Sequence, residues 1–311
     1  MLAIQTIDAF FIQMTLFYGF IVIGYLIARL SDKGQAVNKH LNSVLINILV
    51  PLLVFYVLVT SSPSSLVEIP AYLMLAVLIH LLGPVLIYFR LKRSEMMVQT
   101  KGSLYICSTF NNALFIPLPL VLMFLGPSGV PFVVLFSLTQ MTLIVTLGSF
   151  MGATFSEKDA GWNKIAKDAI LFPPFLAALT ALIFLTFGLV LPESLISVLS
   201  YNPSLTTYLA LLSVGIGVGI RFSLSDIRVA LNVIAVRQLI IPLIMLPIIL
   251  FSGLSQVPLQ VLIVESLMPS AVLTVVYASG FDLDVETAST TVTVGTLLLL
   301  PIIPFLLLFL G

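Results

Sequence analysis

Lys101–Gly126 reads KGSLYICSTFNNALFIPLPLVLMFLG, and Val257–Asp282 reads VPLQVLIVESLMPSAVLTVVYASGFD. Each stretch is long and apolar enough to cross a bilayer, which takes about 20 residues. Each is also interrupted near its middle, the first by Asn111, Asn112, Pro117 and Pro119, the second by Pro269 and Ser270. A proline deletes a backbone donor and clashes with the preceding turn, so a regular helix is not expected through either point. Hydrocarbon tolerates no unpaired peptide groups. The freed carbonyls and amides must therefore be met by neighbouring protein, or by a bound solute and its water. A kink packed against other helices is the alternative, but two prolines beside an Asn pair exceed what a kink needs.

The rest of the chain agrees with a membrane setting. Of its 311 residues 60% are hydrophobic and 8% charged, against about 25% charged in a soluble domain. Thirteen Lys and Arg balance thirteen Asp and Glu, so net charge points to no nucleic-acid partner. The one cysteine, Cys107, sits in an apolar run and reads as a packing residue. The first apolar stretch has no basic n-region or small-residue cleavage site, so it reads as a retained helix.

Ten candidate spans follow: 7–30, 38–60, 70–90, 100–125, 130–153, 168–190, 201–220, 228–251, 258–280 and 286–310. Arg29, Lys33, Lys39, Arg90, Lys92, Arg93, Lys101, Lys158, Lys164, Lys167, Arg221 and Arg228 all flank odd-numbered loops; loops 2, 4, 6 and 8 have no Lys or Arg. Under the positive-inside rule the odd loops are cytoplasmic and both termini lie outside. The expected fold is an all-α integral membrane protein of two five-helix repeats, residues 1–154 and 168–311, joined by a short cytoplasmic linker at 155–167. Because five is odd, the second repeat enters the membrane inverted, an architecture common among secondary transporters. Spans 4 and 9 are then the disrupted member of each half, and broken helices in equivalent places point to a shared solute site.

Glu265 lies one helical turn before Pro269. A carboxylate inside a span costs about 2.5–3.5 kcal/mol on insertion scales, so it calls for a partner or a role. Carboxylate, amide and freed carbonyl oxygens suit a hard cation, and Glu265 with Asn112 is a candidate site for a coupling sodium ion or proton. The bland alternative puts Glu265 near the outer interface, or protonated against a neighbour. Half-helices that begin inside the membrane aim unpaired N–H groups and a positive dipole end at the break, which suits an anion. Arg237 is placed near the cytoplasmic start of span 8, so no Lys or Arg is expected at mid-membrane. An organic anion would have to be held by dipoles and amides.

Gln140 on span 5 either reaches the span 4 break or bonds another helix. Asn47, before Pro51, reads as a packing or kink pair. His80 stands alone inside span 3, which argues against a metal site. Gly215, Gly217 and Gly219 read as a helix-contact face of small residues. No nucleophile-elbow, zincin, Walker A or dinucleotide-binding pattern occurs in proper context, and His40 and His80 offer no base for an intramembrane protease, so an enzyme is not expected.

The segments STFNNALFIPLPL (108–120) and LMPSAVLTVVYASGFDLDVETASTTVTVGTLLLLPI (267–302), with the weaker LNSVLINILVPLLVF (41–55), resemble the auxin efflux carrier (PIN-like) family. Bile-acid sodium symporters belong to the same superfamily. The resemblance implies an elevator transporter. Spans 1, 2, 6 and 7 would form a dimerising scaffold, and spans 3–5 and 8–10 a moving transport domain. Substrates would be carboxylates of auxin or dicarboxylic type. Carried over by position, Asn111, Asn112 and Pro117 form the first crossover, Pro269 and Ser270 the second, and Gln140 a pocket glutamine. Two departures matter. The central loop is only Thr154–Lys167, so phosphorylation control there is not expected. Glu265 stands where the plant proteins carry glutamine, and span 3 lacks the acidic residue they have, so their coupling mode is not carried over; the bile-acid-type symporters place a sodium-binding glutamate near Glu265.

The resulting expectation is a secondary active transporter of small organic anions in a cell (plasma or inner) membrane, an exporter, with membrane lipids and a second copy as its partners. It would need no cofactor beyond a coupling sodium ion or proton. Its rivals are a sodium-coupled organic-anion symporter and a non-transporting membrane sensor.

Overall fold

The computed structural model describes residues 2–31, 33–60, 68–156, 171–220 and 227–310. The described residues are helical apart from turns and one extended contact, an antiparallel bridge between Asn111 and Ser270. Among the described residues, seven helices are long and apolar enough to cross a membrane. They are α1 (Phe10–Leu30 of a helix that starts at Leu2), α2 (Gly34–Thr60), α3 (Ile69–Leu91), α6 (Pro127–Phe155), α8 (Glu193–Gly219), α9 (Ile227–Leu250) and α12 (Val285–Leu308). The other three expected spans fall on shorter pieces. Span 6 is α7 (Pro173–Thr186), span 4 is α4 (Val98–Thr109) and α5 (Pro117–Leu120, running on as Val121–Leu125), and span 9 is α10 (Gln256–Leu267) and α11 (Val272–Gly280). Most of the expected linker, with Lys158, Lys164 and Lys167, lies outside the described residues, as does Arg221.

Large apolar side chains such as Phe11, Ile23, Leu182, Ile183 and Phe305 are exposed. That exterior suits hydrocarbon rather than water.

The chain divides into two compact units, one of residues 1–62, 118–134 and 171–221, the other of residues 63–117, 135–170 and 222–311. The first holds α1, α2, α7 and α8, with nearly all of α5 and the start of α6. In it α1 lies along α8, and close approach needs small residues: a Cβ on Gly215 would run into the Ile21 carbonyl, and one on Gly24 into the Leu212 carbonyl. A Cβ on Gly219 would meet α1 as well, 2.5 Å from the Ala28 Cβ, but one on Gly217 would find nothing nearer than Asn38 Nδ2 at 3.9 Å. The expected three-glycine face is thus a Gly215/Gly219 pair, spaced by one helical turn. The Ser213 hydroxyl ties α8 to α2 through Asn42 Oδ1 (2.7 Å) and Asn38 Oδ1 (3.0 Å).

Pro51 withholds the N–H that the Asn47 carbonyl would receive in a regular helix, and α2 widens to a π turn over Leu45–Leu49. The Asn47 amide turns back to the Ser43 carbonyl at 2.8 Å. The same device recurs in α9, where a π turn over Val236–Ile240 precedes Pro242. Such bulges re-aim side chains without ending a helix.

The second unit holds α3, α4, α9 to α12 and most of α6. Asp284 caps α12, accepting from the Thr287 amide (2.9 Å) and hydroxyl (2.7 Å), and from the Thr100 hydroxyl of α4 (2.8 Å). Glu68 serves α10 similarly, accepting from the Ser255 amide (3.2 Å) and hydroxyl (2.7 Å).

Candidate functional site

Proline explains the second break. Pro269 has no N–H, so the Glu265 carbonyl loses its regular donor four residues on; α10 ends at Leu267 and α11 restarts at Val272. In α4 the chain leaves helical geometry at Phe110, which is extended, and α5 restarts at Pro117. Between these ends the two strands of backbone meet. The Asn112 amide donates to the Pro269 carbonyl (2.7 Å), and the Ala271 amide to the Phe110 carbonyl (2.9 Å).

Side chains complete the pairing reciprocally. Ser270 Oγ donates to the Cys107 carbonyl of α4 at 2.7 Å. Asn111 Nδ2 donates to the Glu265 carbonyl of α10 at 3.0 Å and to Glu265 Oε2 at 3.1 Å. Ser270 thus supplies the donor that the Cys107 carbonyl loses at the first break, and Asn111 adds a second donor to the Glu265 carbonyl, which also accepts from the Met268 amide (3.2 Å), as buried peptide groups require. The Asn112 oxygen accepts from the Phe115 amide (3.0 Å), so it shapes the approach to Pro117.

Gln140, carried by α6, reaches the first break: its Oε1 accepts from the Asn111 amide at 3.1 Å. The same oxygen lies 3.0 Å from His80 Nε2. His80, read from the sequence as standing alone, is therefore part of the site. Its Nδ1 is 2.7 Å from the Ala76 carbonyl, and its ring packs against Phe136 (centroids 5.0 Å) and Phe110 (6.1 Å).

The electrostatics also correct the sequence reading. Arg237 lies ten residues past the start of α9, about 15 Å along its axis, rather than near that end, and its side chain is 0% exposed. Glu265 is 0% exposed as well, not near an interface. The two groups lie within electrostatic range of each other, yet no hydrogen bond joins them. Arg237 Nη1 donates to the Ile79 carbonyl (3.4 Å), while Nε and Nη2 have no partner. Glu265 Oε1 and Asn111 Oδ1 are likewise buried and unpaired. Tyr72 of α3, fully buried, lies within range of the Glu265 charge.

The structure thus brings Asn111, Gln140, Glu265, Pro269 and Ser270 together, with Asn112 and Pro117 beside them. Reading the sequence missed Arg237, His80 and Tyr72. The available signal for Arg237 was a lone cation inside the apolar run ALNVIAVRQLIIPL (230–243).

The chain was compared with known proteins. A family described as membrane transport protein matches residues 9–161 and 162–307. An uncharacterized transporter of Methanothermobacter thermautotrophicus is 27% identical over 289 residues, covering 91% of this chain and 93% of the relative. One of Methanocaldococcus jannaschii is 24% identical over 289 residues, covering 89% and 91%. With the helix breaks, the buried charges and these matches in agreement, the chain belongs to the auxin efflux carrier (PIN-like) family of membrane transport proteins.

Proposed function

We propose that the chain is a secondary active transporter that exports small organic anions, of auxin or dicarboxylic type, across a cell membrane. The observation that carries this reading is the unpaired Nε/Nη2 edge of Arg237, fully buried in the unit that holds both crossovers. Those two N–H groups form one side of the guanidinium fork, whose geometry matches the two oxygens of a carboxylate. Glu265 offsets the Arg237 charge while the site is empty of solute, which removes the need for an anion to be held by dipoles alone. Ten spans in two inverted repeats, with both termini outside, complete the reading. In an elevator reading, residues 1–62 and 171–221 of the first unit form a scaffold that pairs two copies and the other unit carries solute; residues 118–134, on spans 4 and 5, group with the scaffold unit.

The test is thermal stability of the purified protein against malonate and indole-3-acetate. Arg237→Lys keeps the charge and loses the fork. A carboxylate should raise the melting temperature of the parent, and Arg237→Lys should weaken its apparent affinity about 10- to 100-fold, the worth of a charge-assisted hydrogen bond. Carboxylates that stabilise neither protein, or both equally, defeat the reading. Efflux from preloaded vesicles then tests direction.

A second reading, sodium-coupled symport, is favoured by two unpaired buried acceptors, Glu265 Oε1 and Asn111 Oδ1. It requires sodium to stabilise the parent and Glu265→Ala to abolish that effect.

A further inference from the structure

The hydrogen-bond partners of His80 leave its ring little choice of protonation. A backbone N–H can only donate, so the Gln140 atom facing the Asn111 amide (3.1 Å) is the carbonyl oxygen Oε1. Rotating the Gln140 amide by 180° would set N–H against N–H. That oxygen is 3.0 Å from His80 Nε2, which must therefore carry a hydrogen to bond it. Nδ1 faces the Ala76 carbonyl at 2.7 Å, which again only accepts. A neutral imidazole has one N–H and one lone pair. In either neutral tautomer one of these two contacts becomes lone pair against lone pair. The imidazolium satisfies both, and the rings of Phe136 (5.0 Å) and Phe110 (6.1 Å) suit a cation between them.

The charged and titratable groups bearing on this cluster come from three helices. Arg237 of α9 opposes a second positive charge at His80. Glu265 of α10 offsets Arg237, and Tyr72 of α3 lies within range of Glu265. From α4 and α6 come Phe110, Gln140 and Phe136, which do not titrate.

We propose that His80 is a proton-binding site of the transport unit, linked through the Gln140 carbonyl to the Asn111 amide of the first crossover. With the proton bound, Gln140 is held between Nε2 and Asn111. Without it, the ring keeps its one hydrogen on Nδ1, at the shorter contact to the Ala76 carbonyl (2.7 Å against 3.0 Å), so the bare Nε2 repels Gln140 and the crossover loses a fixed point. A solute site at the crossover and a proton on His80 are then coupled through one side chain. The coupling consequence rests on the reading of the crossover as the solute site; the proton site itself does not.

Only His40 and His80 are histidines, so 15N-histidine NMR of the His40→Gln protein in lipid nanodiscs reads His80 alone. Between about pH 5 and 8, the spectrum should show both ring nitrogens as N–H at the acid end and one bare nitrogen at the alkaline end. The Asn111 backbone amide should shift with the same midpoint. Gln140→Leu should lose the two-N–H signature at a pH where the parent shows it, and Gln140→Glu, which keeps an acceptor, should retain it. A single neutral tautomer throughout overturns the proposal, as does an unmoved Asn111 amide or a Gln140→Leu protein that keeps both N–H signals. No solute enters this experiment, so its failure is separable from failure of the carboxylate binding test.

Discussion

Ser270→Ala removes one hydroxyl from the crossover, and its cost can be worked from the bonds around it. In an unbroken helix the Cys107 carbonyl would receive the Asn111 amide, but that amide goes to Gln140 Oε1 (3.1 Å). The Ser270 hydroxyl takes its place at 2.7 Å. Its loss leaves a buried carbonyl without that donor, a penalty of about 1–3 kcal/mol. Measured interhelical hydrogen bonds in membrane proteins lie at the low end, up to about 1.7 kcal/mol, so about 1–1.7 kcal/mol is expected. At about 2–4 °C per kcal/mol for chains of roughly this size, melting should fall by a few degrees. The matched control is Ser266→Ala. Ser266 is also buried, but its hydroxyl donates back to the Ile263 carbonyl three residues earlier (2.8 Å), within α10. That carbonyl keeps its regular helical donor, so the change should stay within about 0.5 kcal/mol. The assay is built in: Cys107 is the one cysteine and is buried, so a thiol-reactive fluorophore reports when this region opens on heating. Equal melting of Ser270→Ala and the parent, or an equal loss in Ser266→Ala, would refute the reciprocal-capping account.

In the first unit, Gly215→Ala drives a Cβ into the Ile21 carbonyl and should destabilise by about 1–3 kcal/mol. Gly217→Ala meets nothing nearer than 3.9 Å and should stabilise by up to about 1 kcal/mol; thermal melting separates the two, and similar effects would contradict the assignment of faces. Burial raises the Asp284 pKa, but bonds from the Thr287 amide and hydroxyl and the Thr100 hydroxyl outweigh it, holding the carboxyl below its ordinary 3.8. Its contribution to stability is therefore present above pH 3.8 and lost as pH falls through the lower folded value. Asp284→Asn should melt lower than the parent at neutral pH and narrow the gap in acid, and a gap constant from neutral to acid pH would count against this.

The breaks were legible because proline and the Asn pair act locally: a missing donor disrupts a helix whatever surrounds it. Gln140 could be placed near span 4, though not on the Asn111 amide, because which face of α6 points inward is a tertiary fact. Arg237 was misread for a related reason. Nearness to a helix end was judged from residue count alone, and the π turn at Val236–Ile240 changes where its side chain is aimed. His80 is instructive in another way. A lone histidine in an apolar run carries no signal of its partners, since Ala76 is matched by its backbone and Gln140 comes from 60 residues away. Apolar length marked the seven long helices and the shorter stretches alike, because hydropathy counts apolar residues and not continuity.

Two charges and a polar ring in the interior of a membrane protein need an account that stability alone does not give. Replacing a buried ion pair by apolar residues of similar volume is often neutral or stabilising. The peptide groups at the breaks are already met by Asn111, Ser270 and the Asn111–Ser270 bridge. Glu265 Oε1 and the Nε/Nη2 edge of Arg237 are surplus to that arrangement: they pair with nothing, although each has an oppositely charged neighbour in range. If fold maintenance were their purpose, closing the pair would be the lower-energy solution. Leaving a fork and a carboxylate oxygen open beside a helix break keeps donors and acceptors available to something that is not always there. On the reading proposed above, such a site binds and releases its solute, and the unsatisfied groups measure how much it gives up in stability to do so.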